Sequence, residues 1–342
     1  MIHWVILFFI NKLYDWKILK SATFNFPIIC IGNLAIGGTG KTPMTEYLIE
    51  QLKADYKIAT LSRGYKRRTR GFAIANENTT AIDIGDEPMQ FHQKFPDVLV
   101  TVGEERLFAI PQILHQKPET EVIILDDAFQ HRRVNAGLNI VLTERSNLYT
   151  RDFIFPAGDL RDIRSSIQRA NIVVVSKCSE NMTEAEAKNI KKELTLTQHQ
   201  KLFFSSIDYG AIYHLFNNNK IELSTSMDAL LICGIANPTS IKKHINKQLH
   251  SYEMIKFSDH HIFTTDDLKN IKNHFEKLQS KNKIIITTEK DAVRLLKYNK
   301  ELSEFPIYVL PIKNKILFNQ SEGFHKMIKD YIELYKSKQI NN

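Results

Sequence analysis

Short apolar runs separated by amphipathic stretches recur along the first two hundred residues. Ile28 to Ile31, Tyr56 to Leu61, Val98 to Val102, Val122 to Leu125, Asn139 to Leu142 and Ile172 to Val175 read as buried strands. Met44 to Lys53, the stretch opening at Arg106, Ser165 to Arg169 and Glu184 to Glu193 read as the helices between them. Strand and helix in alternation predict a mostly parallel sheet in an α/β domain. The texture then changes. Leu202 to Ser206 and Ala211 to Phe216 alternate around polar breaks, Asn217 to Lys220 is a turn, and Ile221 to Leu223 can pair back, which predicts a β-ribbon linker. A second, smaller α/β segment follows. Its strands are Leu230 to Cys233, Lys283 to Ile286 and, as the last, Ile307 to Leu310; Ile235-Ala236-Asn237-Pro238 opens a helix, and Phe324 to Lys336 is an amphipathic tail. The expected organisation is an N-terminal helix over 1–22, a first domain over 23–201, a ribbon over 202–225 and a second domain over 226–342. The last helix is free to return to the first domain.

The loop after Gly32 changes this from a fold to a chemistry. Ala35-Ile36-Gly37-Gly38-Thr39-Gly40-Lys41-Thr42 fits the Walker A pattern, with Ala35 at the first glycine position. Gly37, Gly38 and Gly40 let backbone N–H groups turn inward around phosphate oxygens, and the following helix adds positive dipole. Lys41 is placed to reach the β/γ-phosphates of a nucleotide and Thr42 to ligate Mg²⁺. Pro43 suits the first helical turn. Val122 to Leu125 ends in Asp126-Asp127, the Walker B pattern, whose carboxylates suit Mg²⁺ held directly or through water. A lysine in a tight turn, or an apolar run ending in acids, is common; strand, loop and helix in this order with acids a hundred residues on are not.

Other candidates are weaker alone. Asp86 and Glu87, between Gly85 and Pro88, lie on an expected turn where one carboxylate can accept a hydroxyl proton; the alternative is an ordinary helix start. Arg63 opens the basic run to Arg70, which suits an anionic group or a solvated turn. Arg106 opens a helix, where it clamps a phosphate or faces solvent. His260 and His261 follow Asp259 without a third ligand at metal spacing, so a His paired with a carboxylate is the better functional reading.

Composition adds bounds. The 342 residues carry a formal net charge of +8, which favours anionic partners: nucleotide, acidic lipid or nucleic acid. Cys30, Cys178 and Cys233 sit far apart in apolar runs, without disulfide or metal spacing, as expected for a reducing compartment. Met1 to Ile10 is almost wholly apolar, too short to span a bilayer, and lacks the charged start of a signal peptide. With Lys12, Tyr14, Trp16, Lys17 and Lys20 after it, the segment reads as a helix at a membrane interface or as one packed into the core.

Taken together, these motifs resemble the tetraacyldisaccharide 4′-kinases, the lipid A 4′-kinases of Gram-negative bacteria. The resemblance rests on Gly32 to Pro43, Leu61 to Tyr65, Gly85 to Pro88, Asp126 to His131, Pro156 to Gly158, Phe257 to His261 and Thr288 to Val293, in order and rough spacing. It implies transfer of the γ-phosphate of ATP, with Mg²⁺, to the 4′-hydroxyl of tetraacyldisaccharide 1-phosphate, giving lipid IV-A. It also implies work at the cytoplasmic face of the inner membrane, with the N-terminal helix as anchor. Residue by residue, it implies Asp86 as catalytic base with His260 as partner, and Lys41 on the phosphates. Thr42, Asp126, Asp127 and Glu87 would serve the metal, and Arg63, Arg106 and Arg161 the phosphates or substrate. Asp162 departs from the Glu usual in that family, and Asp159 from the usual proline. A monomer without nucleic-acid partners is expected. The competing class is a P-loop switch or partition ATPase; those carry an extra lysine before the paired glycines, where this chain has Ile36.

Overall fold

The computed structural model describes residues 2–235 and 237–340. It divides into unit 1, residues 1–207 with 314–342, and unit 2, residues 208–313. In chain order unit 1 contains α1 (Ile2–Asp15), β1 (Ile28–Asn33), α2 (Lys41–Leu52), β2 (Ile58–Ser62), β3 (Ala73–Ile74), α3 (Ala81–Ile84), α4 (Asp86–Lys94), β4 (Leu99–Val102), α5 (Arg106–Gln116), β5 (Val122–Asp126), β6 (Leu138–Glu144), β7 (Ile172–Cys178), α6 (Glu184–Leu194) and β8 (Lys201–Tyr209). Unit 2 carries β9 (Ile212–His214), β10 (Lys220–Ile221), β11 (Asp228–Cys233), α7 (Thr239–Gln248), β12 (Ser251–Lys256), α8 (Thr265–Lys277), β13 (Lys283–Thr288), α9 (Glu289–Leu295), α10 (Asn299–Leu302) and β14 (Ile307–Leu310). β15 (Ile312–Ile316) leads back to unit 1, which α11 (Ser321–Ile340) completes.

The sheet of unit 1 runs β15-β8-β7-β6-β1-β5-β2-β4-β3. β1 lies in its middle with every residue buried, parallel to β5 on one side and β6 on the other. Strands covered on both faces must be apolar along their length, which is why these runs do not alternate. The register pairs Ile31 with Asp126, so the Walker A loop and the acidic end of β5 leave the sheet side by side at its carboxyl edge. Ligands of open α/β sheets bind at that edge. Unit 2 has its own sheet, β10-β9-β14-β13-β11-β12, parallel from β14 to β12 with β9 and β10 antiparallel at one end.

Three expectations are corrected. The 202–225 stretch is not a separate ribbon. β8 joins the large sheet parallel to β7, with Phe203 to Ser206 buried on both faces, whereas β9 and β10 belong to the sheet of unit 2. Ile307–Leu310 is not the last strand, because β15 follows it. Asp86 and Glu87 are not on a turn; they are the first two residues of α4, entered through Gly85 at φ 93°. Of the turn expected to open α7, Ala236 lies outside the described residues; the helix itself starts at Thr239.

Gly32 has a specific reason to be glycine. A Cβ there would overlap the Phe129 Cβ, so the chain after the paired aspartates passes directly over the end of β1. Gly32→Ala is expected to destabilise the protein by about 1–3 kcal/mol through overpacking, read as a lower denaturant midpoint with an unchanged slope.

Candidate active site

The loop from Leu34 to Gly40 is built to present backbone. Gly37 and Gly40 take φ of 98° and 88°, and α2 begins at Lys41. A side chain added at Gly37 or Gly38 would meet nothing within 4 Å, so the loop frames open space rather than filled core. It is pinned from three directions. The Ile36 N–H donates to the Asp159 carbonyl at 2.6 Å, and Arg161 N–H to the Leu34 carbonyl at 2.8 Å. Asn33 Nδ2 donates to Thr39 Oγ1 at 2.8 Å. From β7, Ser176 Oγ donates to the Thr39 carbonyl at 2.7 Å.

Charge is concentrated beside this loop. Asp126, 6 % exposed, accepts from Thr45 Oγ1 at 3.0 Å. Burial, then the neighbouring Asp127 carboxylate, pushes Asp126 up to about 7. Asp127 behaves oppositely. Burial opposes its ionisation, but Lys41 and Arg161 outweigh it and hold the carboxyl below its ordinary value. Lys41 Nζ lies 3.7 Å from Asp127 Oδ1. Arg161 grips the same carboxylate with both ends of its guanidinium, Nη1 to Oδ2 at 3.1 Å, and also donates to Asn33 Oδ1. Burial lowers Lys41, with the Asp127 charge acting against it. Such perturbed groups at the mouth of a nucleotide loop mark a functional site.

The remaining expected residues fall as follows. Thr42 is half-buried in the first turn of α2. Asp86 and Glu87, both half-buried, open α4, and the charge of Glu87 reaches Lys41 and Asp126. The basic loop joins them, because Gly85 packs against Gly64 and Tyr65; a Cβ at Gly85 would lie 3.0 Å from the Tyr65 carbonyl. Arg63 is exposed. Arg106 does not face solvent: it is 3 % exposed and donates to the Glu104 carbonyl at 3.0 Å. Its pKa is lowered by burial and by Arg63, against the pull of Asp126 and Asp127. Among the described residues no three carboxylate, imidazole or thiol groups form a metal cage. Mg²⁺ takes one or two carboxylates and otherwise phosphate and water oxygens, and the strand end offers Asp126 and Asp127.

His260 lies in unit 2, away in sequence from all of these. Within unit 2 its neighbours are mostly basic. Lys290 Nζ sits 3.0 Å from Nε2 and Arg294 Nη2 3.1 Å from Nδ1, while Asp259 is 3.9 Å off and binds Lys290 at 3.1 Å. His261 is committed elsewhere, 2.9 Å from Asp267 and stacked on Phe257. Buried Asp291 holds the Gly234 turn by accepting its N–H at 2.9 Å.

Four positions escaped the motif reading: Asn33, Thr45, Ser176 and Gln130, whose Nε2 donates to the Asn33 carbonyl at 2.6 Å. Only Gln130 and Asn33 stood inside quoted motifs, and nothing local in the chain pairs any of them with the loop.

A family model described as tetraacyldisaccharide-1-P 4′-kinase matches residues 1–333 of this chain. The tetraacyldisaccharide 4′-kinase of Bacteroides thetaiotaomicron is 45 % identical over 337 residues, covering 94 % of this chain and 88 % of that protein. The Flavobacterium johnsoniae protein of the same name is 45 % identical over 324 residues, covering 94 % and 92 %. Among solved structures, the "apo" form of LpxK from Aquifex aeolicus in complex with ATP superposes with a TM-score of 0.75 at 26 % identity, covering 97 % of this chain and 96 % of that one.

The raised Asp126 gives a signed pH test. The folded value, about 7, stands above the ordinary 3.8, so keeping Asp126 ionised costs folding free energy as pH rises through that window. Asp126→Asn is expected to stabilise the ligand-free protein at pH 8 by up to about 4 kcal/mol. The gain should shrink towards pH 5, measured by chelator-treated thermal unfolding across that range.

Proposed function

This chain belongs to the tetraacyldisaccharide 4′-kinase family, and we propose that Lys41, Asp86 and His260 carry its phosphoryl transfer. The protein is an ATP- and Mg²⁺-dependent kinase that phosphorylates the 4′-hydroxyl of tetraacyldisaccharide 1-phosphate, an acylated disaccharide lipid. The observation that supports the division of labour best is the Lys41–Asp127–Arg161 cluster beside the open Gly37–Gly38 loop. The residues present suit the nucleotide: open backbone at Gly37 and Gly38, a lysine at the helix start, and an acidic pair of buried Asp126 and half-buried Asp127.

In this reading Ala35 to Thr42 cradle the triphosphate. Thr42, Asp126, Asp127 and Glu87 hold Mg²⁺, which when bound offsets charge on the β- and γ-phosphates. Lys41 releases Asp127 to Arg161 and turns to the γ-phosphate. Asp86 accepts the proton of the sugar hydroxyl, and the first turn of α4 orients its carboxylate. Arg63 and Arg106 add positive charge on the acceptor side. His260 serves as the second proton-handling residue, as the resemblance implies, whereas His261 is tied to Asp267 and Phe257.

The membrane reading rests on α1. Val5, Ile6, Phe9 and Ile10 are exposed along it, and Trp16, Ile18 and Leu19 just beyond. Large apolar groups grouped on a surface beside Lys12, Lys17 and Lys20 suit a helix lying in an anionic interface. Among the described residues no helix is long and apolar enough to cross a membrane. We therefore propose peripheral attachment at the cytoplasmic face of the inner membrane, where the acyl chains of the substrate remain in the bilayer.

With γ-labelled ATP, Mg²⁺ and the acylated disaccharide in detergent micelles, Asp86→Ala is expected to slow label transfer by roughly a hundred- to ten-thousand-fold. Lys41→Ala should be at least as slow. Full transfer by Asp86→Ala would refute the base assignment. Separately, Ile6→Asp should weaken partition onto anionic vesicles while leaving nucleotide affinity unchanged, as sedimentation and calorimetry would report.

A further inference from the structure

Val5, Ile6, Phe9 and Ile10 of the N-terminal helix face out, and Leu7, Phe8 and Leu13 are half-buried; among its described side chains only the polar Asn11, 6 % exposed, is buried. Asn11 Nδ2 donates to Asp162 Oδ1 at 2.9 Å, and its Oδ1 accepts from Arg132 Nη1 at 2.9 Å. Arg132 also donates to the Asn11 carbonyl and, through Nη2, to Asp15, both at 2.9 Å.

Both partners lead to the phosphate side of the site. Asp162 follows Arg161, which grips Asp127. The second Asp162 oxygen accepts from Arg169 Nη2 at 3.0 Å. Arg169 in turn donates to the Phe129 carbonyl at 2.8 Å and lies 4.0 Å over the Phe129 ring, two residues past Asp127. Arg132 is on that same loop. Past α1, Ser21 Oγ donates to the Arg132 carbonyl and the Ala22 N–H to that of Arg133.

Packing holds part of this loop, where Phe129 lies against Gly32. A cavity of about 220 Å³ opens beside it, bounded by Cys30, Leu125, Ala128, Phe129, Arg132 and Arg169. Around that opening polar ties add to the restraint. A buried network of this kind specifies position only while each member is satisfied.

We infer that Asn11 is a positioning residue for phosphoryl transfer: through Asp162, Arg169 and Arg132, α1 fixes where Asp127 and Arg161 stand. This goes beyond anchoring, and it rests on the kinase reading given above. An anchor alone would act on access to lipid. A brace also acts on turnover once lipid is saturating.

The experiment uses the full chain in detergent micelles at saturating lipid, with wild type, Asn11→Ala, Arg161→Lys and the double variant. Asn11→Ala should lower kcat about tenfold, a loss of roughly 1.4 kcal/mol in transition-state stabilisation, with vesicle partition unchanged. Because Asn11 acts through the Arg161 clasp, the double variant should be no more than about twofold below the worse single one. Asn11→Ser, which keeps a short donor, should recover part of the loss and, if Asn11→Ala does not fold, replaces it in the cycle. Wild-type kcat in both Asn11 variants, a loss that tracks vesicle binding, or multiplying single effects would each overturn the inference. The wild-type transfer rate tests the kinase reading; the ratio of variant to wild type tests the brace.

Discussion

Two adjacent carboxylates at the end of a buried strand cannot both stay ionised unless cations come to them, and unit 1 is arranged around that constraint. β5 must be apolar to lie beside β1, and its end must be acidic to serve a metal. Both demands meet at Asp126 and Asp127. The chain resolves them unequally. Asp127 turns out at φ 50° to meet Lys41 and Arg161, whereas Asp126 stays within the strand end with a hydroxyl for partner. The two acids therefore start from different protonation tendencies before any ligand arrives. A cation entering the site lowers the cost of ionising Asp126, so part of its binding energy is already prepared by the fold.

The same constraint explains the loops. Lys41 and Arg161 reach one carboxylate from opposite directions in sequence, so the segments carrying them must be held together. The Ile36–Asp159 and Leu34–Arg161 backbone bonds do this, tying the phosphate loop to the segment after β6 like a short antiparallel pair. Position 159 is Asp where the resembled family usually has proline; its carbonyl accepts from the Ile36 N–H as a proline's would, and its own N–H, which a proline lacks, donates to Asp152 Oδ1 at 3.1 Å. Asp162, shorter than the usual Glu, is fully employed by Asn11, Arg169 and the Ile163 N–H.

Strands, helices and the two phosphate motifs were legible because their signals are local: residue type, spacing and period suffice for β1, α2 and β5. The edges were not. β8 looks like half of a ribbon because its ends are polar, and only neighbours on both faces reveal it as a sheet strand. β15 was missed because Lys313 and Lys315 make it read as a loop, although Asn314 and Ile316 between and after them are buried. In the site, Lys41, Asp126 and Asp127 could be named from spacing. Thr45, Ser176 and Asn11 could not, since their partners stand 81, 137 and 151 residues away. A single sequence carries no record of such pairings. The histidine neighbourhood was half-legible: Asp259 is adjacent in sequence, but Lys290 and Arg294 approach from a helix thirty residues on.

The return of the chain after unit 2 has a consequence for synthesis. Tyr331 of α11 uses its hydroxyl on both the N–H and the carbonyl of Ile28, the first residue of the phosphate-loop strand, while Tyr56 and Asp55 meet Glu333 and Lys329. The strand that begins the catalytic architecture is thus completed by a helix made some three hundred residues later. On the ribosome, the nucleotide-binding half must wait, with that edge uncovered, until everything from residue 208 to residue 313 has emerged and residues 314–340 have followed. The inserted unit is translated whole inside this interval, so it has the opportunity to fold before the enzyme that contains it.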